Sequence, residues 1–309
     1  MEVVIKNLSK RYGPQKAVDD ISFRVNKGEV LGFLGPNGAG KSTTMKIITC
    51  YLAPSEGDVE VGGHSILNEP EKVKQLIGYL PENNPLYLDM PVIEYLEFSA
   101  LLQGVLKSKV RARTREMIKV CGLIGEKHKL IGELSKGYRQ RVGLAHAMIH
   151  DPEVLILDEP TTGLDPNQIV EIRRLIKELG KEKTVILSTH NLPEVEATCD
   201  RILIISKGKI VADGTATNLR SQAKGRDIIQ LKIEDGSASD IAAALVRIPY
   251  ITKVDAVMGK ENTFVLQADK MGTPKRDIFK VCVEHGWVLT EMTTTETRLE
   301  DIFHDLTIQ

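Results

Sequence analysis

The stretch "GPNGAGKST", Gly35 to Thr43, decides the fold, because it fits the pattern G-x-x-x-x-G-K-[ST] in the setting that this pattern requires. The apolar run "EVLGFL" precedes it and predicts a strand, while "STTMKIITCYL" overlaps its end and predicts a helix. Glycines let a backbone turn its N–H groups inward around an anion, and the positive end of the new helix points at the same anion. The predicted phosphate-binding loop consists of Gly35, Pro36, Asn37, Gly38, Ala39, Gly40, Lys41, Ser42 and Thr43.

Two side chains of this loop have a predicted chemical role. Lys41 would place a point charge on the β and γ phosphates of a nucleotide, and Ser42 would offer a hydroxyl ligand to Mg²⁺. The alternative is a glycine-rich helix cap that holds no ligand. It is disfavoured because the complete motif stands between a predicted strand and a predicted helix.

Two further apolar runs end in polar residues that belong at the same edge of a parallel sheet. "VLILDEP", Val154 to Pro160, predicts a buried strand that ends in two carboxylates. We expect Asp158 to support Mg²⁺ and Glu159 to polarise the attacking water, whereas the alternative is a solvated acidic pair at a turn. His190 follows the next strand in "STH", and its position alone leaves a γ-phosphate contact and an ordinary surface or core histidine equally open.

A second glycine-centred stretch, "LSKGYRQR", spans Leu134 to Arg141. Ser135 and Gly137 stand at the start of the predicted helix "YRQRVGLAHAM", which would face an anion. Judged from these residues alone, a structural helix cap is the favoured interpretation.

Taken together, the motifs and their order closely resemble the nucleotide-binding subunit of ATP-binding cassette (ABC) transporters, over residues 1 to about 219. The resemblance implies an α/β P-loop ATPase fold with an antiparallel β subdomain and a helical insert. It also implies ATP and Mg²⁺ as cofactors and a homodimer, or a pair with another ATPase subunit. In such a dimer Ser135 and Gly137 serve the nucleotide that the other subunit's lysine loop holds, Glu159 is the general base, and His190 senses the γ-phosphate.

The resemblance also assigns three more positions. Tyr12, in "KRYGPQKAV", matches the aromatic residue that stacks on adenine, although a strand-end tyrosine without a ligand is the alternative. Asp165, in "TTGLDP", matches the residue that communicates between the two nucleotide sites. Glu82, in "GYLPENNPLY", stands where the family most often has glutamine. A glutamate keeps an oxygen ligand for Mg²⁺ but adds a charge.

The tail "TTTETRLEDIFHDLT", Thr293 to Thr307, resembles that of ABC-2 type exporter ATPases. This resemblance implies a separate ABC-2 type membrane permease as partner, with export driven by ATP-dependent dimer closure and hydrolysis-dependent reopening. One alternative is a soluble ABC ATPase that acts on chromosomes or ribosomes, but the long coiled coil or the tandem cassettes of those proteins are not in the sequence. Another is a nucleotide-gated interaction module, which would bind ATP without turnover.

Hydrophobic periodicity divides the chain into two domains. Short strands lead up to about residue 80, helical periods fill a subdomain at about 86–150, and buried strands resume after it, so that the nucleotide-binding domain is expected to cover 1–219. The polar segment 220–226 is predicted to be a linker. Residues 227–309 predict a small α+β domain in the ferredoxin-like order, with an accessory role in dimer support or regulation, or with none.

The composition restricts the partners. Lysine and arginine number 41 against 42 acidic residues, so no global field attracts nucleic acid or anionic membrane. The four cysteines are far apart in the sequence, which is typical of a reducing compartment. No apolar window approaches the length of a membrane span. We therefore expect no nucleic-acid binding and no direct membrane insertion, but a cytoplasmic protein held at the inner face of the membrane by its permease.

Overall fold

The computed structural model describes residues 1–222, 226–257, 259–269, 273–295 and 299–307. The chain divides into two compact units, Met1–Thr215 and Ala216–Gln309. No helix in the described residues is long and apolar enough to cross a membrane.

The first unit contains ten strands, seven α-helices and a short 3-10 helix at Ile131–Glu133. Its strands are β1 (Val3–Tyr12), β2 (Gln15–Val25), β3 (Val30–Leu34), β4 (Glu56–Val61), β5 (His64–Ser65), β6 (Ile77–Leu80), β7 (Val154–Asp158), β8 (Thr184–Thr189), β9 (Arg201–Ser206) and β10 (Lys209–Gly214). Its helices are α1 (Lys41–Ile48), α2 (Pro70–Leu76), α3 (Val92–Leu102), α4 (Lys107–Val120), α5 (Lys136–Met148), α6 (Pro166–Gly180) and α7 (Leu192–Thr198).

Two sheets organise this unit. The six-stranded sheet has the order β10-β9-β3-β8-β7-β6, and its strands are parallel except for β10, which pairs antiparallel with β9 at the edge. The second sheet, β2-β1-β4-β5, is antiparallel throughout. The predicted P-loop α/β fold with an antiparallel subdomain is therefore confirmed, and α3 to α5 form the predicted helical insert.

Alternation along the central strands explains why their sequences are apolar without interruption. Every residue of β7 is buried. Leu155 and Leu157 point into a core shared with the helical insert, whereas Val154 and Ile156 point into the core beneath α1 and the antiparallel sheet. A strand covered on both faces has no solvent side on which polar residues could alternate.

The second unit begins with a helix, followed by a four-stranded antiparallel sheet of order β12-β13-β11-β14. Its core lies between one sheet face and two helices, where Ile229, Leu231, Ile241 and Ile278 are buried. The elements are α8 (Ala216–Gln222), β11 (Arg226–Glu234), α9 (Ala238–Val246), β12 (Ile251–Ala256), β13 (Thr263–Asp269), α10 (Pro274–His285), β14 (Val288–Thr295) and α11 (Leu299–Thr307).

The structure differs from the sequence prediction at the junction between the units. The segment 220–226 was predicted to be a linker, but α8 continues through Gln222 and β11 begins at Arg226. Leu219 is buried, and α8 packs against α11 of the same unit. This packing stabilises the short polar segment as a helix. Residues 223–225 of the predicted linker, and Met258 and residues 297–298 of the predicted accessory domain, lie outside the described residues.

A single methyl group tests the packing of the helical insert on the sheet. A Cβ at Gly78 of β6 would collide with the backbone carbonyl of Ala147 in α5 and would also lie 2.9 Å from side-chain atoms of Leu155 and Pro152. We expect Gly78→Ala to lower the free energy of unfolding by about 3 kcal/mol, because backbone atoms cannot rotate away. Urea denaturation followed by circular dichroism measures it. Gly125→Ala is the control, since its Cβ would meet nothing within 4 Å, and equal losses for both variants would contradict this packing.

Candidate functional site

The predicted phosphate loop connects the fully buried strand β3 to helix α1, as the motif requires. Gly40 has a φ of 109°, and a Cβ there would collide with the carbonyl oxygen of Ala17, so only glycine fits. The loop Gly35–Gly40 therefore takes its shape from backbone geometry, and the last three motif residues, Lys41 to Thr43, form the first turn of α1.

Lys41 lies deep in this loop, with only 6% of its side chain exposed. Its ammonium donates hydrogen bonds to the carbonyl oxygens of Gly35 at 2.9 Å and Pro36 at 3.3 Å. It also lies 3.4 Å from Oε1 of Glu159. The structure thus brings together the lysine and the candidate general base, which are far apart in the sequence.

Asp158 ends β7 beside the start of α1. Its Oδ1 accepts a hydrogen bond from the hydroxyl of Ser42 at 3.2 Å and another from the hydroxyl of Ser188. Burial raises the pKa of this carboxyl, and the two hydroxyl donors only partly oppose that shift. A hydroxyl and a carboxylate are both hard oxygen donors, so the pair Ser42 and Asp158 fits Mg²⁺ chemically.

Ser188 is a site residue that sequence reasoning missed. In the parallel pairing of β7 with β8 it lies directly opposite Asp158, and it is the first residue of the "STH" motif. The strand register could have identified it, because residues that end neighbouring parallel strands meet at one edge of the sheet.

Glu159 and His190 form the second part of the site. Nδ1 of His190 lies 2.9 Å from Oε2 of Glu159, and the Thr162 hydroxyl donates to the same oxygen at 3.3 Å. The backbone of Glu159 is left-handed, with a φ of 50°, which is a strained conformation for this residue. Its N–H is held by the carbonyl of Ser188 at 3.0 Å. The predicted catalytic residues are therefore adjacent in the fold.

Glu194 is a second residue that sequence reasoning missed. It is fully buried in α7, shortly after His190, and burial raises the pKa of its carboxyl. The hydroxyls of Thr161 and Thr189 lie beside the carboxylate and oppose that shift, although neither makes a hydrogen bond of standard geometry with it. No sequence signal connects Glu194 with the site. It is connected only by its closeness in space to the loop that contains Glu159.

Two other predicted residues, Tyr12 and Glu82, make no hydrogen bond or ion pair with this group among the described residues. Tyr12 is the last residue of β1, and its side chain is about half exposed. Glu82 lies on the exposed segment that follows β6. Burial raises the pKa of the Tyr79 hydroxyl, and the charge of Glu82 adds to that shift. Glu82 makes no hydrogen bond with Ser42 in the described part of the chain, so its contact with the metal remains a prediction.

Ser135 and Asp165 each begin a helix. Ser135 is the N-cap of α5 and accepts a hydrogen bond from the Tyr138 N–H at 3.4 Å, which is the structural role that the residues alone favoured. Asp165 is the N-cap of α6 and accepts from the Gln168 N–H at 2.9 Å. Gly137 is buried, and a Cβ there would lie 2.5 Å from the side chain of Gln168. The structure therefore groups Ser135, Gly137 and Asp165 at two neighbouring helix starts.

Comparison with known proteins identifies the same family as the motifs. A family model described as ABC transporter matches residues 18–162, and one described as "AAA domain, putative AbiEii toxin, Type IV TA system" matches residues 130–196. The linearmycin resistance ATP-binding protein LnrL of Bacillus subtilis is 36% identical over 307 residues, which is 98% of this chain and 97% of LnrL. The bacitracin transport ATP-binding protein BcrA of Bacillus licheniformis is 33% identical over 315 residues, again 98% and 97% of the two chains.

Solved structures have the same fold. The dimeric post-hydrolysis structure of the ATP-binding cassette MJ0796 bound to ADP and Pi superposes with a TM-score of 0.63 and 26% identity. The superposition covers 69% of this chain and 98% of the cassette. The match thus extends over nearly all of that cassette.

The pKa of Asp158 leads to a prediction about stability. Because the folded-state pKa is raised, an ionised Asp158 costs stability once the pH is above that pKa. We expect Asp158→Asn, without nucleotide, to raise the melting temperature at pH 8 by about 2–4 °C, which corresponds to roughly 1 kcal/mol. The gain should shrink as the pH falls through the raised pKa, toward the usual value of about 4.

Asp151→Asn is the matched control for this experiment. Lys183 lowers the pKa of Asp151, so its ionised form stabilises the fold above the ordinary pKa, and its removal should lower the melting temperature at pH 8. Scanning calorimetry at pH 5, 6.5 and 8 measures both variants. A melting temperature for Asp158→Asn that falls at pH 8 would contradict the burial argument.

Proposed function

The chain belongs to the ATP-binding subunits of ABC transporters, which are ATPases, and we propose that it powers the export of a substrate through a separate membrane permease. One observation carries the catalytic part of this proposal. Lys41, Glu159 and His190 meet at the carboxyl edge of one parallel sheet, next to Ser42 and Asp158.

In the proposed reaction, Lys41 binds the β and γ phosphates of ATP through its buried charge. Glu159 accepts a proton from the attacking water, and His190, which is hydrogen-bonded to Glu159, orients this carboxylate and contacts the γ-phosphate. A base held between an ammonium and an imidazole cannot rotate freely, so its proton-accepting oxygen is positioned before the water arrives.

Mg²⁺ would be held by Ser42 and Asp158, with Glu82 as a further oxygen ligand. When bound, the ion would neutralise charge on the phosphates. Ser188 keeps the Asp158 carboxylate in place through its hydroxyl, and Tyr12 is assigned to the face of adenine.

We propose that two copies, or one copy with a related ATPase subunit, form the active dimer. Ser135 and Gly137 then complete the site of the partner's lysine loop, and Asp165 links the two sites. The exposed start of α5, where Ser135 can present its hydroxyl and the backbone its N–H groups, supports this assignment. The structural relative that is a dimer bound to ADP and Pi supports it as well.

The partner in the membrane is proposed to be an ABC-2 type permease, which places this chain at the cytoplasmic face. An exposed apolar surface on the helical insert supports such a partner, because apolar side chains clustered in solvent are typical of an interaction site. It lies on the segment before α3 and on α3 itself, and consists of Tyr87, Leu88, Phe98, Leu101 and Leu102. The centroid of the Tyr87 ring lies 5.8 Å from that of Tyr95 and 6.0 Å from that of Phe98. These ring contacts hold part of the surface in place.

The names of the relatives bear on the direction of transport and the cargo. Two relatives that match along nearly their full length are named for linearmycin resistance and bacitracin transport. They support export and an antibiotic-like cargo for this chain.

For the second unit we propose a ferredoxin-like accessory domain. Its element order βαββαβ and its sheet order β12-β13-β11-β14 support this assignment. Its role is proposed to be dimer support or regulation, and we take it to begin with α8 at Ala216, where the chain divides, rather than at residue 227.

Replacing the base without changing its shape tests the catalytic role. Glu159→Gln keeps the hydrogen-bonding length but cannot accept a proton, so ATP should bind while turnover falls by about 10²–10⁴-fold. A closed dimer should then accumulate in Mg-ATP and elute earlier from a sizing column. Thr162→Val is the control, because it removes only a donor to Glu159. Unchanged turnover in Glu159→Gln would exclude this base.

The shared site can be tested by mixing two inactive variants. Lys41→Ala removes the phosphate charge, and Ser135→Asp places a carboxylate at the start of α5, where it would repel the partner's γ-phosphate. Aspartate is as good an N-cap as serine, so α5 should remain intact, whereas any side chain at Gly137 would displace Gln168 of its own chain.

In the mixed dimer, one site combines an intact lysine loop with an intact Ser135, while the other site carries both defects. We expect ATPase activity, or nucleotide trapping at the single intact site, to return on mixing. Differently tagged chains purified together establish that heterodimers form. If such heterodimers neither hydrolyse nor trap ATP, Ser135 does not serve the partner's nucleotide.

A further inference from the structure

Tyr12 is half exposed at the end of a strand, so something must hold its ring if it is to present one face to a base. Lys10 stands two residues earlier on β1, and side chains two apart on a strand share a face. The Lys10 ammonium lies over the Tyr12 ring, 5.6 Å from the ring centroid. This distance is within the range of a cation–π interaction.

The same ammonium is anchored on its other side. It donates a hydrogen bond of 2.7 Å to the carbonyl oxygen of Ala53, in the segment that follows α1. That segment is itself fastened to β1, because the Ser55 N–H donates to the Ser9 carbonyl at 2.8 Å and the Arg11 N–H donates to the Ser55 hydroxyl at 3.1 Å. Lys10 is therefore fixed between a backbone carbonyl and an aromatic face.

The charge of Lys10 is not neutralised by a neighbour in the described part of the chain. The adjacent Arg11 pairs with Glu56 at 3.2 Å, and Lys6 on the same strand pairs with Glu60 at 2.6 Å. Lys10, in contrast, has the Ala53 carbonyl and the Tyr12 ring as its contacts among these residues. A cation without a carboxylate partner keeps its full attraction to an aromatic face.

We propose that Lys10 is a positioning residue for the adenine of ATP: it covers one face of Tyr12 and holds the ring so that the base stacks on the other face. The proposal rests on the function proposed for Tyr12. A ring that is ordered before binding loses less side-chain entropy when the base arrives, and this gain should appear in the affinity for the base but not for the phosphates.

Calorimetry on the full chain, with Mg²⁺, separates base from phosphate. The two probes are AMP-PNP, a non-hydrolysable analogue of ATP, and inorganic tripolyphosphate. Lys10→Met keeps the apolar stem but removes the charge, and it should weaken AMP-PNP binding about two- to fivefold without changing tripolyphosphate binding. Lys10→Arg should restore the affinity, because a guanidinium can also lie on the ring. Lys6→Met is the control for loss of one surface lysine.

A double-mutant cycle shows whether Lys10 acts through the ring. Lys10→Met should have no further effect when combined with Tyr12→Ala. If Lys10→Met weakens both probes equally, or keeps its effect in the double variant, the proposal is overturned and Lys10 acts on the phosphates or on the fold. If Tyr12→Ala leaves AMP-PNP binding intact, the assignment of Tyr12 itself fails, and the role of Lys10 fails with it.

A ligand-free measurement distinguishes failure of this inference from failure of the proposed ATPase. The aromatic ring should shift the NMR signals of the Lys10 side-chain methylenes upfield, and Tyr12→Leu should abolish the shift. Absence of that shift in the wild-type protein would overturn the proposed contact, whatever the outcome for nucleotide binding.

Discussion

The nucleotide-binding unit depends on how one buried cation is accommodated. Lys41 is almost completely removed from solvent, and a buried ammonium without acceptors would cost several kcal/mol. Its acceptors come from two places: carbonyl groups of its own loop and the carboxylate of Glu159 at the end of β7. The loop carbonyls and the Glu159 carboxylate must both lie at the depth of the Lys41 ammonium. The position of this one side chain therefore depends on the order and register of β3, β8 and β7.

Much of this arrangement was predictable, because parallel strands align their carboxyl ends. The motif at Gly35–Thr43 and the carboxylates after "VLIL" each follow an apolar run, so Lys41, Asp158, Glu159 and His190 were all expected at one edge. The fold class followed from the same signals. These predictions needed only the direction and burial of strands, which uninterrupted apolar runs indicate locally.

Features that depend on contacts between distant segments were not predictable. Arg113 of α4, for example, donates to the carbonyls of Met148 and Ile149 at the end of α5. The helix at 216–222 was missed because its stability comes from packing against α11, about 80 residues later in the chain. Local periodicity contains no information about such partners.

The residues proposed to serve a partner subunit, Ser135, Gly137 and Asp165, lie at two helix starts that are packed against each other. The backbone N–H of Gln168 is bound by Asp165, while its side chain occupies the space next to Gly137, so this one residue joins the starts of α5 and α6. A displacement of either helix start must therefore displace the other, because close-packed neighbours cannot move independently. Lys41, Asp158 and Glu159 are instead held by β3 and β7 at the edge of the sheet. In the proposed dimer the first group would serve a partner's nucleotide, while the sheet edge would hold the chain's own nucleotide.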